Sequence, residues 1–330
     1  MMATVEGPGI DPKWAKSWKM HWRFIEEMRR NDASAYRSEL MHFASRGTTI
    51  VQPLFPPEPT DPPRQAWESS FLSSTLSTCT MVTLGWFEIS SIKQKRWASS
   101  TGVHAFAASY TKQMIDMANH AKFERRHAGR TLQALSPESV LLTALGLVLG
   151  CKEQAFTLAR MQLSAHRRGY VGNADRFPVC HFMFRLLADF LGEAAPQGSG
   201  DAVSEPILSA LFDTWRAPDP ALLAPLCLGA CDIHTFRSQP QSPRQIFFDF
   251  GGLKRTPIDI LLLFKLRQSL GLDNPVLEHP MMATALGKLP EEVPFEADSL
   301  VTAVRARMVV EGYDEQAIVA MYASCAGASP

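Results

Sequence analysis

Hydrophobic positions along most of the chain recur every three or four residues, which is the spacing of one buried helix face. Several such segments open on a capping residue followed by proline and end at a glycine. Clear examples run from Ser136-Pro137 to Gly150, from Pro178 to Gly192 and from Thr256-Pro257 to Gly271. This pattern predicts an all-α protein, an irregular multi-helical bundle of helical hairpins with little or no sheet.

Breaks in the pattern suggest three parts. Residues 1–63 are predicted to form an N-terminal helical arm that ends in a proline-rich connector. Residues 64–193 are predicted to form a helical bundle, and residues 202–330 a C-terminal helical bundle. The glycine- and alanine-rich stretch 194–201 separates them as a flexible break. The alternative is that both bundles form one continuous domain.

The composition excludes several classes of protein. Hydrophobic residues make up 46% of the 330 positions and charged residues 20%, which is typical of a globular protein and excludes a disordered chain, a collagen or a coiled coil. Lysine plus arginine equals aspartate plus glutamate, 33 of each. A dedicated nucleic-acid-binding protein would show a basic excess, so we expect no direct nucleic-acid partner.

Cysteine usage and hydropathy indicate a cytoplasmic protein. Six cysteines are too sparse for a disulfide framework, and we predict that they are small buried hydrophobic residues. The first residues lack the pattern of a secretory signal. The most apolar run, 140–149, is far shorter than a membrane span. We therefore expect no membrane insertion.

Acidic residues gather in the C-terminal third although the whole chain is neutral. The predicted partner-binding residues there are Glu291, Glu292, Glu296 and Asp298. Such a surface would complement a basic partner. The more ordinary interpretation is a set of solvated helix faces.

A long loop between residues 238 and 255 carries a second candidate surface. Phe247, Phe248 and Phe250 surround Asp249 there, and aromatic residues on a loop are typical anchors of a protein interface. The alternative is that these rings only fasten the loop to the bundle.

The densest group of metal-ligand residue types is Cys227, Cys231, Asp232 and His234. On a helix the two cysteines lie one turn apart, with His234 roughly in line. A structural zinc site needs a second ligand pair, which the sequence does not supply. We therefore expect no metal and no cofactor, with Cys227, Cys231 and His234 as weak candidate ligands. No motif of a known catalytic class is present.

Four stretches resemble a known family. They are the hairpin 136–166, the run 176–192, Cys231-Asp232-Ile233-His234, and the segment from Pro257 through His279-Pro280. In these stretches the chain resembles the large all-helical immunity proteins of bacterial polymorphic toxin systems, in particular the family catalogued as immunity protein forty-nine.

The resemblance implies a cytoplasmic protein that binds a cognate toxin protein and neutralises it. It implies no catalytic residues, so the expected function is binding without enzyme activity. Two alternatives remain. One is a helical-repeat-like scaffold or adaptor that binds a protein or peptide. The other is an enzyme that uses the region from Cys227 to His234 or the loop from Asp249 to Arg255.

Overall fold

The described part of the protein is built from helices. The computed structural model describes residues 22–23, 25–27, 35–49, 68, 70–126, 135–137, 139–172, 177–198, 200–237 and 253–323. Within them the α-helices are α1 (Ala35–Arg46), α2 (Ser70–Gln94), α3 (Ser99–Arg126), α4 (Ser139–Val148), α5 (Lys152–Arg167), α6 (Pro178–Leu191), α7 (Pro206–Thr214), α8 (Ala224–Arg237), α9 (Ile258–Ser269), α10 (Ser299–Val310) and α11 (Glu315–Ala323). Short 3-10 helices span Gly200–Val203, Pro220–Leu222 and Ala285–Gly287.

The all-α prediction is confirmed for these residues. They contain no β-strand, and their only extended pairing is an isolated bridge between Leu135 and Val171. None of their helices is long and apolar enough to cross a lipid bilayer.

Local signals set the helix ends. Pro178 occupies the first turn of α6, and Gly192 ends that helix in the left-handed conformation with φ 69°. Asp298 begins α10, where its side chain accepts a hydrogen bond of 2.7 Å from the Val301 N–H. The ends of α6 are those that the proline and glycine pattern predicts, and the start of α10 follows the general preference for aspartate before a helix.

Helix α4 lies at the centre of the fold. All ten of its residues are buried. It packs against α3, α5, α6 and α9, so every side of it meets another helix. A helix that is apolar all round requires such a position.

Helices from both sides of residues 194–201 contribute to one apolar core. Helix α9 packs on α4 and α6, α11 packs on α5 and α3, and α10 packs on α1. This packing favours the alternative of one continuous domain, and the division into separate bundles stays a prediction. Residues 1–21 and 50–67 of the N-terminal arm lie outside the described residues.

Candidate functional site

An open cleft of about 1050 Å³ lies between the α2–α3 turn and a segment near residue 290. Its lining residues are 92, 94–101, 283–285, 288, 290, 291 and 293. The volume is at the upper end of the range for ligand-binding clefts. The two walls are about 190 residues apart in the chain, so only the fold brings them together.

The α2–α3 turn forms the first wall. Helix α2 ends because Lys95 takes the left-handed conformation, with φ 52°. The Arg96 N–H then donates to the Ser91 carbonyl at 3.1 Å, and the Lys95 N–H donates to the Ile92 carbonyl at 3.2 Å. Glycine is the usual residue at such a position, because a side chain there is strained.

Trp97 joins the two walls. Its indole N–H donates to the carbonyls of Ala285 and Lys288, each at 2.8 Å. Its ring packs on Phe87, with centroids 5.3 Å apart. One tryptophan therefore holds the second wall in place against the end of α2.

The first turn of α3 lines the cleft, and the residue before it has no side chain that could cap the helix. The Gly102 N–H donates to the Ala98 carbonyl at 3.0 Å, which makes Ala98 the residue that precedes the helix. Alanine has no side-chain acceptor to offer the free N–H groups that follow. The residues that carry those groups, Ser99, Ser100 and Thr101, line the cleft.

The cleft is mainly basic. Lys95, Arg96 and Lys288 line it, and all three are exposed. Glu291 is the carboxylate among the lining residues. None of these four side chains forms an ion pair with another described residue, so the cleft presents open charges of both signs with a cationic excess.

Replacing Lys95 by glycine should raise the free energy of unfolding by about 1 kcal/mol, because glycine adopts a positive φ without strain. Chemical denaturation of the two proteins measures the difference. Lys93→Gly is unsuitable as a control, because Lys93 lies inside α2 and pairs with Glu26 at 2.8 Å. Gln94→Gly, at the last residue of α2, provides the comparison. A Lys95→Gly variant less stable than the wild type would show that the backbone at Lys95 is not strained.

The acidic residues predicted to bind a partner have different roles in the structure. Glu291 lines the cleft, and Glu296 is exposed. Asp298 caps α10 and so has a structural role. The predicted aromatic anchor, Phe247, Phe248, Asp249 and Phe250, lies outside the described residues.

Glu292 joins three parts of the fold. Its Oε1 atom lies 2.8 Å from the Lys152 Nζ and 2.7 Å from the Lys265 Nζ. Lys265 is buried, and Glu292 supplies its counter-charge. The hydrogen bonds from Lys152 and Lys265 lower the pKa of Glu292 to about 2. A residue with two cations already bound is a poor candidate for partner binding.

Replacing Glu292 by glutamine should lower the free energy of unfolding by about 1 kcal/mol at pH 7, because solvent screens a half-exposed carboxylate. Its lowered pKa means that this contribution is present above the unfolded pKa of 4.5 and is lost as the pH falls toward 2. Glu291→Gln is the matched control, since Glu291 has no ion pair with a described residue. Urea denaturation between pH 7 and pH 2 measures both. Equal stability of the two variants at pH 7 would contradict the role of the ion pairs.

The candidate ligands Cys227, Cys231 and His234 all lie on α8 and are buried. Burial, reinforced by the Asp259 carboxylate, raises the pKa of the Cys227 thiol to about 12 and that of Cys231 well above its ordinary value. Both thiols therefore stay protonated near neutral pH. In the described part of the chain, no three His, Cys, Asp or Glu side chains are arranged to hold a metal ion.

The polar residues beside these cysteines hold the fold together. The His234 Nε2 atom lies 3.2 Å from the Lys254 carbonyl oxygen and must carry the hydrogen, since a carbonyl only accepts. His279 accepts from the Met281 N–H through Nδ1, so its Nε2–H donates to Asp232 at 3.1 Å. Each histidine thus ties α8 to a later segment.

Sequence reasoning missed the cleft. Lys95 and Arg96 belong to a basic stretch, and the sequence pattern predicts a helix break near Ser99 to Gly102, but Lys288 and Glu291 give no sign of facing them. That prediction is wrong, because Ser99 to Gly102 lie inside α3. The break falls at residues 95–98, where Lys95 ends α2 in the left-handed conformation.

No family model, no curated protein and no solved structure matches this chain.

Proposed function

We propose that this chain is a binding protein without catalysis, the immunity protein of a bacterial polymorphic toxin system that binds and neutralises a cognate toxin domain. The observation that supports the binding role is the cleft, whose charged side chains form no ion pair with another described residue and stand on a frame of packed helices. Charges that no other residue of the described part of the chain neutralises are suited to selecting a partner of complementary charge. The identification of the partner as a toxin comes from the family resemblance.

On this proposal the protein acts in the cytoplasm of the producing cell and needs no cofactor. It blocks the toxin by covering its active site or by holding it in an inactive conformation. Contact with nucleic acid or membrane is not part of the mechanism. The requirement is a rigid surface that fits one partner, and a helical bundle with a continuous core provides such rigidity.

The cleft supports the adaptor alternative equally, since a peptide from another kind of partner would fit the same surface. The enzyme alternative has less support. A thiol nucleophile reacts as its thiolate, and the raised pKa values of Cys227 and Cys231 disfavour that form. His234 and Asp232 are also engaged with Lys254 and His279.

The test is co-expression with each toxin domain encoded beside the gene for this chain. Growth should recover when the wild-type chain is present, and the two proteins should co-purify in a fixed ratio. A destabilised variant that no longer accumulates serves as the negative control. Toxicity that persists beside the folded, abundant chain would overturn the proposed pairing. Co-purification without growth recovery would favour the adaptor function instead.

A further inference from the structure

The cations of the cleft differ from several other cations of the described surface, which are paired with a carboxylate. Lys93, Lys152 and Arg216 each lie within 3 Å of a carboxylate oxygen of Glu26, Glu292 and Asp189. Lys95, Arg96 and Lys288 have no such partner among the described residues, although Glu291 lines the same cleft. The cleft therefore has an excess of positive charge that the described chain leaves uncompensated.

The surrounding backbone adds to this excess. Ser99, Ser100 and Thr101, the first turn of α3, line the cleft. Helix α3 is 28 residues long, and its N-terminus carries a partial positive charge. The effect is secondary to the three cations but has the same sign.

We propose that the cleft binds an acidic segment of a partner polypeptide, with carboxylates of that segment contacting Lys95, Arg96 and Lys288. The inference rests on the proposed function in taking the partner to be a protein. It adds two points to that function. The binding surface is the cleft, and the partner segment that enters it must be acidic.

Glu291 favours a polypeptide over a small polyanion. A compact phosphate-bearing molecule in the cleft would approach the Glu291 carboxylate and be repelled by it. A polypeptide segment can place acidic side chains at the cations and a main-chain or side-chain donor at Glu291. Ile92, Trp97 and Val293 also line the cleft and offer apolar surface to such a segment.

The test uses two fluorescein-labelled peptides, hexaglutamate and hexalysine, with fluorescence anisotropy at low ionic strength. The wild-type chain should bind hexaglutamate and not hexalysine. Arg96→Glu and Lys288→Glu should each weaken hexaglutamate binding by about tenfold, and added salt should weaken it further. The matched control is Arg160→Glu, an equal charge reversal at an exposed position of α5 outside the cleft.

Lys95→Gly separates binding from stability. It should weaken hexaglutamate binding by about threefold, through loss of one cation, while it raises the melting temperature. A merely structural role for the turn would make this variant more stable with unchanged binding. Glu291→Gln should strengthen binding by a similar factor.

Two results would overturn the inference. One is that the variants Arg96→Glu, Lys288→Glu and Arg160→Glu bind hexaglutamate with equal affinity. The other is displacement of the peptide by inorganic phosphate at concentrations where chloride has no effect, which would assign the cleft to a small oxyanion.

The toxin assay distinguishes the two proposals. If Arg96→Glu and Lys288→Glu neutralise the toxin as well as the wild type, and hexaglutamate does not bind, the cleft inference fails while the proposed function stands. If hexaglutamate binding depends on the cleft cations but no toxin is neutralised, the immunity function fails and the acidic-segment site stands.

Discussion

Replacing Arg267 by methionine should lower the free energy of unfolding by about 3–5 kcal/mol, because three main-chain carbonyls would lose their donor. Urea denaturation followed by circular dichroism measures the change. Arg267→Lys should lose about half as much, since an ammonium group cannot reproduce the planar set of donors. This milder variant keeps the measurement possible if the methionine variant does not fold.

The reason lies in the position of the guanidinium. Arg267 is the largest fully buried side chain among the described residues. Its Nη1 donates to the carbonyls of Trp215 and Ala217, the latter at 2.9 Å, and its Nε and Nη2 donate to the Asp273 carbonyl. One side chain thus ties α9 to the end of α7 and to the loop that follows α9.

The control is Gln268→Met, because Gln268 is the next residue of α9 and is exposed. Its stability should stay within about 0.5 kcal/mol of the wild type. If Arg267→Met were as stable as this control, the free-energy cost of desolvating the buried guanidinium would have to equal the free energy that its hydrogen bonds contribute. The structural role assigned to Arg267 would then be wrong.

Replacing Gly146 by alanine should lower the free energy of unfolding by about 2 kcal/mol, although alanine favours a helix more than glycine does. Gly146 lies inside α4, where a Cβ atom would come within 2.5 Å of the Phe106 ring. Phe106 is itself buried, and it packs edge-on against Phe295 with centroids 5.8 Å apart. The ring therefore cannot move aside without disturbing its neighbours.

Phe106→Leu isolates the contact. In the Phe106→Leu background the ring is absent, so Gly146→Ala should be neutral or stabilise the protein by about 1 kcal/mol, as helix propensity alone requires. Thermal or urea denaturation of the four proteins gives the coupling free energy between the two sites. A coupling free energy near zero would show that the Phe106 ring does not limit residue 146.

The helix ends were predictable, because the interactions that set them act within a few residues. Pro178 and Gly192 bound α6, and Asp298 caps α10 through the N–H three residues later. Proline fixes its own φ, glycine tolerates a positive φ, and a capping carboxylate reaches only its own first turn. The end of α2 at Lys95 was not predictable in this way. No local pattern marks Lys95 as a left-handed residue, and the tertiary contacts of the nearby Trp97 are found at the same turn.

The all-α class followed from these local signals and from hydrophobic spacing, both of which are properties of short stretches of sequence. The roles of individual charged residues did not follow from local signals, since they depend on residues far apart in the chain. Glu291 and Glu292 are adjacent and chemically identical, and sequence reasoning gave them the same role. The fold places Lys152 and Lys265 against Glu292 and leaves Glu291 open in the cleft, because ion pairing is decided by distance in space and not by distance along the chain.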